Sequence, residues 1–449
     1  MCDAEHSSRR DFLRNAACGF GALAFAGLAT EAAARDNPLA PRAPHFKERA
    51  KRVIFLFMQG GPSHVDTFDH KPILTRDDGK SPPAGADGRG RGGTLLGSPW
   101  KFSPQGKSGL PLSELFPHLS KHADELCLLN GMHTDNPAHP QATIQMHTGT
   151  SQFVRPSIGS WVLYGLGTPN QNLPGYVSIS PVQNAQTYGA AFLPAAYQGT
   201  AIGGSSGNAK IPNIAPGVPA ELQKKQLDLV REMNRDLHDR APDGGDVEAV
   251  IGSFDLAARM QTSVPEVMDL AKEPKAVRDS YGTGAFAEQC LLARRLAESG
   301  VRFIEVTHRG WDQHNNLRAA LARNCQAIDQ PMAALLGDLR QRGLLDETLV
   351  VWGGEFGRTP AQQGRDGRNH NNRGFSMWMA GGGIKGGLRH GATDDHGFAA
   401  VQDKVHIHDL HATILHCLGL DHEKLTYRYA GRDFRLTDVH GNVVTSILA

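Results

Sequence analysis

Strand patterns and helix patterns alternate through the second half of this chain, and that alternation restricts its fold most. The predicted elements there are a helix over 285–299, a strand over 301–306, a helix over 317–343, strands over 348–352 and 375–380, and a helix from Asp409 to Leu418. Upstream, Val53 to Met58 is a continuous apolar run, which is typical of a central strand buried on both faces. We therefore predict an α/β fold, a three-layer sandwich around a mostly parallel sheet, with ligands beyond the carboxyl ends of the strands.

The N-terminal segment has the features of an export signal. Arg9 and Arg10 precede an apolar stretch rich in Ala and Gly over 16–29. This order is that of a twin-arginine signal, and the stretch is too short and too weakly apolar to span a bilayer. We expect residues 1–34 to be the signal peptide. The mature chain, 35–449, is expected to be a single domain without a stable membrane span, delivered by the twin-arginine export machinery to the periplasm or the extracellular space.

The charge balance and the histidine content bear on the class of function. The chain has 449 residues, a formal net charge of +1 and 21 histidines. Because Lys and Arg are dispersed along the chain and form no basic stripe, we expect no nucleic-acid partner. Neutral imidazole is the commonest metal ligand in proteins, so the abundance of histidine favours metal chemistry.

Residues 181–245 interrupt the α/β rhythm. The segment is polar and rich in turns at first, and it has a helical pattern after Glu221. We predict an insertion in the domain, placed over the binding pocket.

The cysteines of the mature chain lack metal-binding spacing. They are Cys127, Cys290, Cys325 and Cys417, and no two of them form a C-x-x-C pair. The last three lie within apolar helical patterns, which favours buried free thiols over a disulfide.

A carboxylate and an imidazole lie two residues apart just after the predicted strand 301–306. They are Asp312 and His314, and His370 follows the next strand closely enough to reach the same edge of the sheet. One carboxylate and two imidazoles suit Zn²⁺, Mn²⁺ or Fe, and suit Ca²⁺ only with added oxygen ligands. We predict that this trio binds a divalent metal. The alternatives are that Asp312 caps the next helix and that His370 lies on a flexible loop.

Glu355 and Arg358 follow the predicted strand 348–352 in a Gly-rich turn. Glu355 is predicted to bind the metal or to act as a general base, and the remaining alternative is a simple ion pair with Arg358. Arg358 is predicted to contact the substrate, where its charge would stabilise negative charge that develops in the reaction.

Two further segments supply candidate substrate contacts. The turn after the first strand is predicted to expose Ser63, His64, Asp66 and Asp69, unless it is only a capped turn. His139 lies at the start of a helix opened by Pro140, where free N–H groups and the helix dipole favour an anionic substrate group. His139 is therefore a candidate catalytic residue, whereas His147, farther along the same helix, is predicted to be packed or to cap.

Five motifs give the chain a family resemblance. They are GGPSHVDTFD at 60–69, ARRLAESGVRF at 293–303, GWDQH at 310–314, GGEFGRTP at 353–360 and HDLHATILHCLGL at 408–420. With the leader, they make the chain resemble the domain of unknown function 1501 family, whose exported members are similar to distant members of the alkaline phosphatase and sulfatase superfamily. The resemblance implies an alkaline phosphatase-like fold, with Asp312 and His314, Glu355, and His370 at the places of the superfamily's metal-site residues.

The same comparison shows two departures from sulfatases. The chain has neither a paired Asp after the first strand nor a C/S-x-P-x-R motif. A formylglycine mechanism is therefore not expected. Ser63, Thr143 or a water molecule activated by the metal remain as nucleophiles.

These observations lead to two hypotheses of function. The first is an exported metal-dependent hydrolase of phosphate or sulfate esters, acting on a small molecule or a polysaccharide, with Glu355, His139 and Ser63 as catalytic residues and His64, Asp66 and Arg358 at the substrate. The second is a catalytically inactive binding or assembly protein that keeps the fold and one structural metal. Loss of the usual nucleophile favours the second hypothesis.

Overall fold

The computed structural model describes residues 37–85, 93–203, 218–240 and 264–449. The predicted signal peptide, 1–34, lies outside the described residues. Within them, we find no helix whose length and apolar character would let it cross a membrane.

The regular elements run through the whole described chain. The strands are β1 Arg52–Gln59, β2 Phe102–Gln105, β3 Leu110–Ser113, β4 Leu126–His133, β5 Tyr176–Ile179, β6 Thr200–Ile202, β7 Phe303–Arg309, β8 Thr348–Gly353, β9 Gly357–Gln363, β10 Gly367–Asn371, β11 Phe375–Ala380, β12 Leu388–His390, β13 Ala392–Thr393, β14 Ala400–Gln402, β15 Val405–His406, β16 Tyr427–Tyr429 and β17 Arg432–Phe434. The helices are α1 His64–Thr67, α2 Pro72–Arg76, α3 His139–Thr148, α4 Ile158–Leu166, α5 Ala220–Arg240, α6 Lys275–Tyr281, α7 Ala285–Glu298, α8 Leu317–Gln341 and α9 Ile407–Cys417.

The central sheet is mostly parallel, as predicted. Its strand order is β12-β4-β11-β8-β1-β7-β5-β6, with β15 paired to β4. β1 lies between β8 and β7 and is parallel to both, which confirms the predicted central position of the first strand. β11 alone in this sheet is antiparallel to its neighbours. The carboxyl ends of β7, β1 and β8 therefore meet at one edge, where ligands of open α/β sheets bind.

Helices cover both faces of the sheet, which gives the predicted three layers. Alternate side chains of β1 enter opposite cores, because successive residues of a strand point to opposite faces. One core contains Ile54, Leu56 and Met58 with the apolar sides of α7 and α8. The other contains Val53, Phe55 and Phe57 with those of α3, α4 and α9. The α/β class predicted from the alternation of patterns is confirmed.

Two predicted boundaries move. β7 runs from Phe303 to Arg309, whereas the prediction was 301–306. The strand therefore ends closer to the predicted ligands. α9 begins at Ile407, two residues before Asp409, because His406 is the N-cap and Asp409 is the third helical residue, which completes a capping box. The Asp409 carboxylate accepts from the N–H of His406 at 2.9 Å. Asp409 therefore stabilises the helix start as predicted, but from inside the first turn.

The predicted insertion 181–245 is wrong in part. Thr200–Ile202 forms β6, which pairs in parallel with β5 at the edge of the main sheet. The helical pattern after Glu221 agrees with α5. A place over the binding pocket stays a prediction for the rest of the segment.

The buried free thiols predicted at Cys290, Cys325 and Cys417 are confirmed, and Cys127 is of the same kind. Cys127, Cys290, Cys325 and Cys417 are buried and free. Burial raises the pKa of the Cys127 and Cys417 thiols to about 12, so neither is a reactive thiolate at neutral pH.

Candidate metal centre

Four side chains converge beyond the carboxyl ends of the central strands. His139, Asp312, His314 and His370 offer ligand atoms that all lie within 4.8 Å of one another. We call this group the metal cluster. Asp312 and His314 follow β7, His370 lies on β10, and His139 is the first residue of α3. The predicted trio is thus brought together, and His139 joins it. Neither alternative is seen, since Asn316 is the N-cap of α8 and His370 belongs to a strand.

Asp312 Oδ1 is the centre of the cluster. The Nε2 atoms of His314, His139 and His370 lie 2.9, 3.0 and 3.5 Å from it. The Asp312 side chain is 48% exposed, so the cluster opens to solvent on that side. An ion bound by the metal cluster would have three imidazole nitrogens and one carboxylate oxygen as neighbours.

Each imidazole of the cluster has its other nitrogen held by an acceptor. His139 Nδ1 lies 2.5 Å from Glu355 Oε1, His314 Nδ1 lies 2.5 Å from Gln363 Oε1, and His370 Nδ1 lies 2.7 Å from the Pro137 carbonyl. A carboxylate and a carbonyl only accept, so His139 and His370 carry a proton on Nδ1. Their Nε2 lone pairs then point into the cluster. Metal-binding histidines are oriented in this way in proteins.

The contact between His314 and His370 brings two imidazole nitrogens together beside one donor, Arg358 Nη1, which lies 3.4 Å from His314 Nε2. Their Nε2 atoms are 2.9 Å apart. With both Nδ1 atoms protonated, two lone pairs face each other at that distance, which is repulsive unless a proton or a cation lies between them. His139 Nε2 is buried and makes no hydrogen bond of acceptable geometry within the described residues. The donor set therefore fits a bound cation.

The electrostatic surroundings of the cluster favour an ionised Asp312 and, when no metal is bound, a protonated His139. Partial burial opposes ionisation of Asp312, but the neighbouring His139 and His370 imidazoles and the Arg358 guanidinium outweigh it and hold the pKa of that carboxyl far below its usual value. Burial lowers the pKa of His139, yet its contacts with Asp312 and Glu355 raise the pKa to about 9. Without a metal, His139 is thus protonated at neutral pH. A metal ion would replace that proton.

Two glycines allow the backbone segments to approach. Gly60, just after β1, has φ +120°, and a Cβ there would lie 2.5 Å from the Asp312 backbone nitrogen. A Cβ at Gly367 would lie 1.8 Å from the His314 carbonyl oxygen. No larger residue fits either position without moving the loop that carries Asp312 and His314.

Glu355 and Arg358 contact the metal cluster from the interior of the protein. The buried Glu355 carboxylate accepts the Gly60 N–H at 3.0 and 3.2 Å and binds His139, so the alternative, a simple ion pair with Arg358, is not its direct contact. The Arg358 guanidinium is fully buried, and donates to Asp312 Oδ1 at 2.6 Å and to the Gly61 carbonyl at 3.0 Å. The predicted contact of Arg358 with the substrate has no support in this conformation, because its donors face backbone carbonyls, Asp312 and His314 Nε2.

The predicted exposure of the turn after β1 is wrong. Ser63, His64, Asp66 and Asp69 are each at most 1% exposed. Asp66 forms a buried ion pair with Arg368 at 2.7 Å and also accepts from Ser63 Oγ at 2.6 Å. His64 Nε2 binds the Gly397 carbonyl, and Asp69 accepts from Thr393. These side chains hold β10 and the loop near 393–397 against α1, and none is open to solvent in this conformation.

Thr143 and His147 lie inside the protein. Thr143 is 4% exposed and His147 is fully buried. The His147 ring is packed against Phe57, as predicted for a packed histidine. Burial removes Thr143, like Ser63, from contact with a solvent-borne ester in this conformation.

The sequence assigned His139 to catalysis and missed it as a member of the donor set. The place of His139 in the cluster depends on tertiary structure, because its partner Glu355 is 216 residues away along the chain. Gln363 and Pro137, which hold the other two imidazoles, carry no local sequence signal for that role.

Several solved structures are similar to this chain at low identity. The lipoteichoic acid synthase LtaP from Listeria monocytogenes is 7% identical with a TM-score of 0.38, covering 90% of this chain and 80% of its own. The PsFucS1 sulfatase from Pseudoalteromonas sp. is 11% identical with a TM-score of 0.35, covering 84% and 69%. The alkaline phosphatase of the Antarctic bacterium TAB5 is 11% identical with a TM-score of 0.35, covering 83% and 99%. Similarity at this level transfers no activity.

Sequence comparison identifies the family. No curated protein matches the chain. The family described as Protein of unknown function (DUF1501) matches residues 50–448, in agreement with the resemblance stated above. The chain belongs to the DUF1501 family.

Proposed function

We propose that this protein is an exported, metal-dependent hydrolase of phosphate or sulfate esters, with the metal cluster as its active centre. One observation carries the proposal: three imidazoles and one carboxylate converge at the carboxyl edge of the sheet, each imidazole fixed through its other nitrogen. Such second contacts orient ligands and raise their basicity. The resemblance to the alkaline phosphatase and sulfatase superfamily supplies the ester class.

The donor set restricts the metal. Three nitrogens and one oxygen suit Zn²⁺, Mn²⁺ or Fe, whereas Ca²⁺ takes six to eight oxygen ligands. Of the metals predicted from the sequence, Ca²⁺ therefore fits least. The ion would supply Lewis acidity toward an ester oxygen and would lower the pKa of a water molecule.

The protein's own residues have distinct roles in this proposal. Glu355 keeps the proton of His139 on Nδ1, so that Nε2 faces the ion. Arg358 holds the Asp312 carboxylate in place from the buried side. We assign neither residue to the substrate. His139 is accordingly a ligand, with Glu355 as its positioning residue.

The second hypothesis, a binding or assembly protein with one structural metal, has support of its own. Four protein ligands complete a tetrahedral site, and closed sites of this kind are typical of structural zinc, whereas catalytic zinc keeps one position for water or substrate. The buried state of Ser63 and Thr143 points the same way. The two hypotheses differ in whether the ion has an exchangeable position.

Metal content and activity are the first test. We expect the mature protein, exported from its host, to contain stoichiometric metal by mass spectrometry, and Asp312→Ala to contain none. The exposed Asp346 is a matched control, and Asp346→Ala is expected to keep the metal. Chromogenic phosphate and sulfate esters are then tested with all three proteins. Wild-type protein without stoichiometric metal would exclude the proposed mechanism.

Cobalt substitution separates the two hypotheses. A Co²⁺ ion with an open position changes its visible absorption when phosphate or sulfate binds, because the coordination number or a ligand changes. We expect such a change for a hydrolase. An absorption band insensitive to both anions, together with no turnover of any ester, would establish the structural role.

A further inference from the structure

An aromatic surface lies apart from the metal cluster and is formed by Phe153, Phe192, Tyr427, Tyr429 and Phe434, which we call the aromatic ledge. Phe192 stacks on Tyr429 with ring centroids 5.1 Å apart and planes at 15°. Phe153 is 59% exposed and Tyr429 is 50% exposed. Large aromatic side chains gathered on a surface mark interaction sites more often than chance.

Arg155 lies on this ledge without a carboxylate partner. Its guanidinium carbon is 4.2 Å from the Phe434 ring centroid and 5.1 Å from that of Phe153. Neighbouring arginines differ, since Arg428 pairs with Asp433 and Arg435 pairs with Glu423. Among the described residues, Arg155 has no ion pair or hydrogen bond. A half-buried cation that is held by ring faces alone keeps its five N–H groups for an external acceptor.

A groove of about 340 Å³ leads from Arg155 and Phe434 to Asn136. Asn136 directly precedes Pro137, whose carbonyl fixes His370 of the metal cluster. The groove therefore connects the ledge to the segment that supports the metal ligands.

The groove is polar, and each of its carboxylates has a partner within the protein. Asp438 pairs with Arg432, and Asp135 accepts from Gln145 and from His406. Ser151 Oγ accepts from Asn136 at 3.0 Å, which leaves its own proton available. Among the charged groups of the groove, Arg155 is the described arginine without an ion pair, whereas Asp135 keeps a negative charge beside Asn136.

We propose that the groove and the aromatic ledge bind an anionic sugar chain, with Arg155 on a sulfate or phosphate group and the exposed aromatic faces on the sugar rings. Sugar C–H bonds are weakly positive and pack on the negative face of an aromatic ring. Hydroxyl and amide groups along the groove suit a polyhydroxylated ligand. The inference rests on the proposed function for the ester class, and it assigns recognition to a surface that contains no metal ligand.

A binding experiment tests this site with a chemically sulfated cellohexaose as the probe, and with unsulfated cellohexaose and inorganic sulfate as comparisons. We expect saturable binding of the sulfated hexasaccharide, weakened about tenfold or more by Arg155→Gln, because one charge-assisted contact is worth about that factor. Tyr429→Ser, at an exposed position, is expected to weaken binding as well. Arg428→Gln removes an exposed, paired arginine of the same hairpin and is expected to change the affinity by less than about twofold.

Three outcomes would overturn the inference. They are absence of binding to the wild-type protein, equal losses in Arg155→Gln and Arg428→Gln, and competition by inorganic sulfate at concentrations as low as those of the hexasaccharide. Metal content and turnover of small chromogenic esters are measured on the same variants. Arg155→Gln is expected to leave both unchanged, so failure of this site and failure of the proposed function give different results.

Discussion

Helix α3 carries two histidines that contact glutamates, and their surroundings give them different roles. His139 Nδ1 lies 2.5 Å from Glu355, and its Nε2 faces Asp312 at the solvent-open cluster. His147 Nε2 lies 3.2 Å from Glu305, with both side chains fully buried, and its Nδ1 is held by the Thr143 carbonyl of the same helix. A histidine–carboxylate pair can therefore position a candidate metal ligand only when the second nitrogen of the imidazole faces other possible ligands. When a carbonyl of the same helix binds that nitrogen, as in His147, the pair only links α3 to β7.

The largest expected effect is at the buried pair. Burial opposes the charge of His147, but the Glu305 carboxylate outweighs it and raises the pKa of His147. Glu305→Ala leaves that charge unpaired in the core, and removal of one partner of a buried ion pair costs about 3–5 kcal/mol. Urea unfolding in the presence of a chelator measures the change. Asp346→Ala is the surface control, and a loss as small as the control's would show that His147 is not charged in the folded protein.

Metal removal is expected to be the next largest effect and to distinguish the two ends of α3. A ligand at a hundred times its Kd stabilises a protein by about 2.7 kcal/mol. A chelator should therefore lower the Tm of the wild-type protein. His139→Ala should have a Tm that does not respond to the chelator, since it lacks one ligand. If both proteins respond equally, His139 does not bind the ion.

Glu355→Gln is expected to have a smaller effect, on metal affinity. The change keeps the size of the side chain but weakens its hold on His139 Nδ1. Loss of such a second contact typically reduces metal affinity by about 10–100-fold. Competition with a chromophoric chelator gives the Kd. An unchanged Kd would show that the orientation of His139 is set by packing alone.

Over a single pH unit, the smallest expected effect is a pH dependence at His411, a third buried histidine, which contacts α3. Burial, with the charge of His408, lowers the pKa of His411 to about 3, and its Nε2 binds the Met146 carbonyl at 2.7 Å. Because the folded pKa lies below the unfolded value of about 6.5, the unfolded chain binds more protons between these values, and stability falls as the pH falls from 6.5 toward 3. The slope is at most about 1.4 kcal/mol per pH unit for one histidine.

His411→Gln keeps a donor for the Met146 carbonyl and removes the titration. Its stability should depend less on pH in this window than that of the wild-type protein. Parallel stability curves for the two proteins would contradict the expected titration of His411.

Most of the fold could be predicted from local sequence patterns. The apolar run of β1, the period of α8 and the alternation of strands with helices depend on neighbours along the chain, so the parallel three-layer arrangement and the meeting of strand ends were predictable. The spacing of Asp312 and His314 after a strand was predictable for the same reason. Burial of the Ser63 to Asp69 turn was not, because Arg368 and the Gly397 loop cover it from distant parts of the chain.

The sequence alone determined the layers, the central strand and the candidate ligands after β7 and on β10, since periodicity and strand-end position are properties of short segments. Only the tertiary structure decided that His139 joins those ligands, that Glu355 faces His139 and not Arg358, and that Arg358 lies beneath Asp312. The physical reason is that the role of an imidazole or a guanidinium depends on what each nitrogen faces. Those partners come from chain segments that meet only when the sheet is assembled.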